Sequence, residues 1–195
     1  MQKRWISLAV AFLLTIGGFD IYFRGLSPLE MGKWIGIGFL LQLGGVGIIS
    51  LLFIVVALAR KKKVQAVRKK LGPGGKWTLG YQEFMVDALL EELIFRGLLL
   101  IILLIWKLPL WFWVLIIIVD GTVFGFRHFQ GTLFLFEFLN LSWVGVVLSV
   151  LVIKTASLIP SFLCHFLWLA VWKTLFHLTH GVFEMRIKPS FAPEE

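Results

Sequence analysis

Apolar residues run along this chain in long blocks broken by short polar stretches, and they do not alternate with polar ones. The blocks cover residues 5–23, 34–59, 84–106, 110–126, 133–153 and 157–175. Each approaches or exceeds the ~20 residues a helix needs to cross the hydrocarbon of a bilayer, whereas the strands of a membrane barrel would alternate. The pattern therefore predicts an all-α fold, a polytopic membrane helix bundle of about six transmembrane helices. Residues 1–4 carry two positive charges ahead of the first block. That block lacks an Ala-x-Ala-like cleavage site, so it reads as a retained span and not a secretory signal. Ser27-Pro28 and Lys107-Leu108-Pro109 mark turns, and Gly72-Pro73-Gly74-Gly75 a flexible one. Gly32-x-x-x-Gly36 with Gly44, Gly45 and Gly47 predicts a face for close helix packing.

Composition sharpens the class: 59% of the 195 residues are hydrophobic, 15% are charged, and the mean hydropathy is +0.92, which excludes a soluble domain of this length. The net charge of +8 would suit nucleic acid, but eight of the 19 basic residues fall within 60–76, between two apolar blocks. That placement speaks for a cytoplasmic loop, and no nucleic acid is expected as a partner. With the loop inside, alternation puts both termini and the basic tail with Arg186 and Lys188 in the cytoplasm. The absence of a eukaryotic targeting segment points to a bacterial plasma (inner) membrane, with the lipid bilayer as the first partner. The chain divides into residues 1–78 (two N-terminal spans and the basic loop), 79–180 (a core carrying the chemistry) and 181–195 (a cytoplasmic tail). A single cysteine, Cys164, permits no internal disulfide.

The third block contains Glu91-Glu92-Leu93-Ile94-Phe95-Arg96. Each ionisable side chain near the centre of a bilayer costs at least ~3 kcal/mol, so such residues call for partners or a water-filled cavity. On a helix Glu92 and Arg96 stand one turn apart and pair, while Glu91 is turned roughly 100° away from them. One glutamate is thereby neutralised and the other left for chemistry. His128 ends the fourth block and His165 lies inside the sixth. A glutamate and two imidazoles converging from three helices would supply a base for water and two groups to orient that water or to bind a metal. His177-x-x-His180 reads as an interfacial tail. Cys164 and His165 are adjacent, about 100° apart on a helix, which disfavours a dyad. Asp87 and Asp120, with Arg127 and the histidines, would also suit a proton-coupled transporter, although the two halves show no internal repeat.

At these residues the sequence resembles the CPBP family of intramembrane proteases, which includes the type II CAAX prenyl-protein endopeptidases and bacteriocin-processing and self-immunity proteins. Glu91-Glu92-Leu93-Ile94-Phe95-Arg96 meets the family's Glu-Glu-x-x-x-Arg motif, and Phe124-Gly125-Phe126-Arg127-His128 meets its Phe-x-x-x-His motif. The third motif is His165, approached through Thr155-Ala156-Ser157-Leu158-Ile159-Pro160-Ser161; the family usually has Asn four residues later, where this chain has Leu169. The resemblance covers residues 79–173. It implies that Glu91 activates the attacking water, that His128 and His165 position it or stabilise the oxyanion, that Glu92 with Arg96 is the supporting pair, and that Phe124 packs beside the site. The implied substrate is a membrane-associated protein or peptide cleaved near its terminus. No cofactor is favoured; the metal alternative is zinc held by Glu91, His128 and His165, although the single-helix spacing of zinc peptidases is absent. Leu169 cannot donate to a developing charge, so a catalytically silent member acting as an immunity factor or scaffold is a further reading. Asn140 is the chain's single asparagine and a candidate substitute donor.

Overall fold

A computed structural model describes residues 27–60, 62–69, 81–128, 134–179 and 182–189. Through them run five helices, α1 (Pro28–Ala59), α2 (Tyr81–Ile105), α3 (Leu110–His128), α4 (Phe134–Thr155) and α5 (Ile159–Thr179), and two strands, β1 (Lys62–Lys69) and β2 (Val182–Pro189). The expected first span at residues 5–23 lies outside the described residues, as do His180 and the glycine-rich turn at 72–75. Among the described residues three helices are long and apolar enough to cross a membrane, Pro28–Ala59, Leu110–His128 and Leu135–Thr155, and Ile159–Leu175 is a shorter apolar helix. The protein is thus a helical membrane bundle.

Local chemistry moves several boundaries away from the hydropathy pattern. The Ser27 side chain accepts from the Glu30 amide at 3.2 Å while the Glu30 carboxylate accepts from the Ser27 amide at 3.1 Å. This capping box, with Pro28 in the first turn, starts α1 well before residue 34. The turn expected at Ser27-Pro28 is therefore the start of the helix. Helix α5 runs on to Thr179, so His177 is helical and does not lie in a tail.

The strands were not expected either. They pair antiparallel from Lys62↔Pro189 to Lys69↔Val182, where the sequence pattern read a loop and a tail. Each strand needs a partner more than a hundred residues away, and a local pattern carries no sign of it. Because β1 follows α1 closely and β2 follows α5, the pairing holds the C-terminal ends of α1 and α5 at one end of the bundle.

Glycine lets α3 and α4 meet backbone to backbone. A Cβ on Gly121 would stand 2.8 Å from the Ser142 carbonyl oxygen and 2.9 Å from the Val146 nitrogen; one on Gly145 would stand 2.9 Å from the Gly121 Cα. On α1, Gly45 lies under the Trp143 ring, whose Nε1 donates to the Leu41 carbonyl at 2.9 Å, and Gly38 faces Leu151 and Cys164. Gly32, Gly36, Gly44 and Gly47 meet nothing within 4 Å among the described residues, so only Gly45 of the expected packing face packs here. The core beneath gathers Phe124, Val144, Leu148, Leu151, Cys164 and Trp168.

Between α4 and α5 the chain turns at Ala156, whose φ of 48° is left-handed. Thr155 Oγ1 donates back to the Leu151 carbonyl at 2.7 Å, and Ser157 Oγ accepts from the Ile159 amide at 3.1 Å, so one hydroxyl closes the outgoing helix and the other caps the incoming one. Pro160 sits in the first turn of α5 and places Ser161 and His165 one turn apart on a single face.

Because the α3–α4 contact has no room for a side chain, Gly121→Val forces the backbones apart. Thermal unfolding in detergent micelles is expected to show a loss of about 1–3 kcal/mol, the usual cost of overpacking. An unchanged midpoint would contradict this close contact.

Candidate active site

Three helices bring Glu91, His128 and His165 together. His128 Nε2 lies 3.0 Å from Glu91 Oε1, and His165 Nε2 lies 3.5 Å from Glu91 Oε2. The carboxylate therefore sits between the two imidazoles and meets each with a different oxygen. Glu91 keeps 21% of its side chain exposed and His128 18%, whereas Glu92 and Arg96 keep none. Of the two adjacent glutamates, the one at 91 is the one a substrate can reach.

The opposite edge of each imidazole is fixed. His128 Nδ1 stands 2.8 Å from the Phe124 carbonyl, one turn back on α3. A carbonyl only accepts, so Nδ1 carries a proton and the ring turns its Nε2 edge to Glu91, where the 3.0 Å contact has room for a shared proton. His165 Nδ1 stands 2.9 Å from Glu92 Oε1. Glu92 also takes Arg96 Nη1 at 3.3 Å on the same oxygen, and the Ser161 hydroxyl on its other oxygen. A carboxylate held by a guanidinium and a hydroxyl is an ionised acceptor, so His165 donates to it from Nδ1 and turns its Nε2 edge toward Glu91.

Behind this layer Arg96 is enclosed on all sides. Nη2 donates to the Gly145 carbonyl of α4 at 3.1 Å, Asp120 Oδ2 of α3 lies 3.2 Å from Nε, and the guanidinium carbon sits 4.5 Å from the Phe124 ring centroid. The Asp120 contact is a charge contact set off the N–H direction, since Nε has no aligned acceptor. Ser149 donates to Asp120 Oδ2, with the Gly145 carbonyl at 2.9 Å as its other acceptor. Phe124 also lies 4.1 Å from the His128 ring and edge-on to His165 at 5.5 Å, so one aromatic ring braces both imidazoles and the cation.

All six residues singled out in the sequence thus share one cluster. The sequence pattern did not mark Ser149 or Gly145, named Ser161 only in the stretch leading to His165 and gave it no role, and set Asp120 aside as a relay carboxylate. Ser161 stands one turn before His165 in an apolar helix, a spacing that could have flagged it; Gly145 contributes a carbonyl, which no motif records. Leu169 packs with Ala88, Leu89 and Phe162, so apolar contact fills the position one turn past His165. Asn140 shares a face of α4 with Phe136 and Trp143, which meet Phe53 and Leu41 of α1. Its buried Oδ1 has no hydrogen-bond partner among the described residues. Among the described residues no group of three or more His, Cys, Asp and Glu side chains is disposed to hold a metal ion. The two imidazoles meet separate oxygens of Glu91.

The site is thus a partly exposed carboxylate between two held imidazoles inside a helical membrane bundle. The family described as type II CAAX prenyl endopeptidase, Rce1-like, matches residues 73–171, half of the chain, and the protein belongs to that family. No curated protein and no solved structure matches it.

Removing the Glu92 carboxylate would leave Arg96 Nη1, the Ser161 hydroxyl and the Nδ1–H of His165 without their shared acceptor inside the bundle. Glu92→Ala is expected to cost about 3–5 kcal/mol in thermal unfolding, while Glu91→Gln, at a partly exposed position, should leave the midpoint near that of wild type. Equal losses in the two variants would contradict the assignment of Glu92 as the buried partner.

Proposed function

We propose that the protein is an intramembrane endopeptidase that cleaves a membrane-associated protein or peptide near its terminus, with Glu91 as the general base. The observation that carries this reading is that Glu91 is the partly exposed carboxylate of the pair and stands between the Nε2 edges of two imidazoles whose Nδ1 edges are held. A water bound beside Glu91 gives up a proton to the carboxylate as its oxygen attacks the peptide carbonyl carbon. The carbonyl π electrons move to oxygen, and the Nε2 edges of His128 and His165, on either side of Glu91, position the water. Collapse of the tetrahedral species breaks the C–N bond, and the proton held by Glu91 passes to the leaving nitrogen. Peptide and water thus become an acid and an amine. General base catalysis of this kind contributes about 100- to 10,000-fold.

A catalytically silent relative is a second reading, favoured by the apolar packing of Leu169 where the family usually places an asparagine. Losing one oxyanion donor costs roughly 3 kcal/mol, about 100- to 1000-fold, and leaves measurable turnover. We therefore read a slow or narrowly specific enzyme. For location, we favour a bacterial plasma membrane with both termini and the 60–76 loop in the cytoplasm, since the basic residues gather there.

With the protein reconstituted in vesicles beside membrane peptides encoded near its gene, Glu91→Gln is expected to abolish cleavage and Leu169→Asn to raise it. Incubation with a zinc chelator should leave the rate unchanged. Cleavage that persists in Glu91→Gln, or none in wild type and Leu169→Asn alike, would refute the enzyme reading; loss on chelation would refute the metal-free mechanism. In a Cys164→Ser background, single cysteines placed within residues 60–76 should be shielded from an impermeant thiol reagent in intact cells. Labelling from outside would reverse the orientation.

A further inference from the structure

Arg96 faces two carboxylates, and one would suffice to neutralise it. Glu92 is held on the same helix through Nη1, while Asp120 reaches Nε from α3, at 3.3 and 3.2 Å. A second, partly buried carboxylate adds a desolvation cost that a simple ion pair avoids, so its place calls for a physical reason.

The guanidinium has three edges, and each meets a different element. Nη1 goes to Glu92 of α2, Nη2 to the Gly145 carbonyl of α4, and Nε faces Asp120 of α3. An unrestrained guanidinium prefers to take one carboxylate with two parallel N–H bonds. Were Arg96 to grip Glu92 in that fork, Glu92 Oε1 would turn away from His165 Nδ1, which it meets at 2.9 Å. The counter-charge at Nε removes that option, and Glu92 keeps an oxygen edge for the histidine. Ser149 completes the arrangement by donating to the Asp120 oxygen that faces Arg96, from the same turn of α4 that presents Gly145.

We infer that Asp120, oriented by Ser149, is a positioning residue of the site: it holds Arg96 to a single contact with Glu92 and so keeps Glu92 on His165 Nδ1, fixing the tautomer that points Nε2 at Glu91. Asp120 touches none of the reacting groups and acts through Arg96 and Glu92. The inference rests on the proposed catalytic role of His165, but its primary readout does not require turnover.

The test uses full-length protein in micelles with 15N-labelled histidine, comparing wild type, Asp120→Ala and Ser149→Ala. The nitrogen resonances of His165, assigned by their loss in His165→Gln, report which ring nitrogen bears the proton. Wild type should show a protonated Nδ1. Asp120→Ala should move both resonances toward the average of two tautomers, and Ser149→Ala should move them the same way by less, at an unchanged unfolding midpoint. In a cleavage assay Asp120→Ala should lower kcat by about 100-fold, the scale of a 1 Å misplacement, with KM unchanged. His165 resonances that match wild type in Ser149→Ala, and in Asp120→Ala where it folds, would overturn the inference. Should the resonances move while wild type cleaves nothing, the positioning role stands and the protease reading falls.

Discussion

A guanidinium closed off from water inside an apolar bundle must be met by charge and hydrogen-bond acceptors, or the bundle does not form. Arg96 imposes that requirement on four helices at once. It takes Glu92 from its own helix, Asp120 from α3 and a backbone carbonyl from α4, and through Glu92 it reaches Ser161 and His165 of α5. The glycines of α3 and α4 belong to the same requirement. Gly145 presents its carbonyl to Arg96 from a position where a side chain would collide with Gly121, so close packing and charge compensation are two sides of one contact.

The division between the adjacent glutamates follows from helix geometry. A rotation of roughly 100° per residue sends Glu92 into the bundle and Glu91 toward the opening. Burial then fixes the character of each. Glu92 accepts from three donors and holds one edge of an imidazole, and Glu91 lies between the Nε2 edges of two. In the proposed chemistry the inner carboxylate orients and the outer one reacts, a pairing in which each role excludes the other.

Much of this was legible in the sequence because the relevant spacings are short. The Glu92–Arg96 pair is one helical turn, and charge in an apolar block announces itself. His128 and His165 stood out for the same reason. What stayed hidden depends on contacts across the fold. Asp120 read as a relay carboxylate because nothing local shows that it faces Arg96, and Gly145 contributes a backbone atom that every residue possesses. The strand pair joins segments from opposite ends of the chain, and the start of α1 was set by a capping box at Ser27 and Glu30, which hydropathy ignores. Gly32, Gly36, Gly44 and Gly47 read as packing residues from spacing alone, while the close contacts of α1 fall at Gly38 and Gly45.

The central claim is that Glu92 is shared between Arg96 and His165, which leaves the chemistry to Glu91. A double-mutant cycle on unfolding free energy in micelles tests it most directly, pairing His165→Ala with Glu92→Gln and, in parallel, with a distant change such as Trp111→Phe. Groups in direct contact couple by about 0.5–3 kcal/mol, and distant ones add within about 0.5 kcal/mol. The account predicts clear coupling between His165 and Glu92 and none between His165 and Trp111. Additive effects of His165→Ala and Glu92→Gln would contradict it.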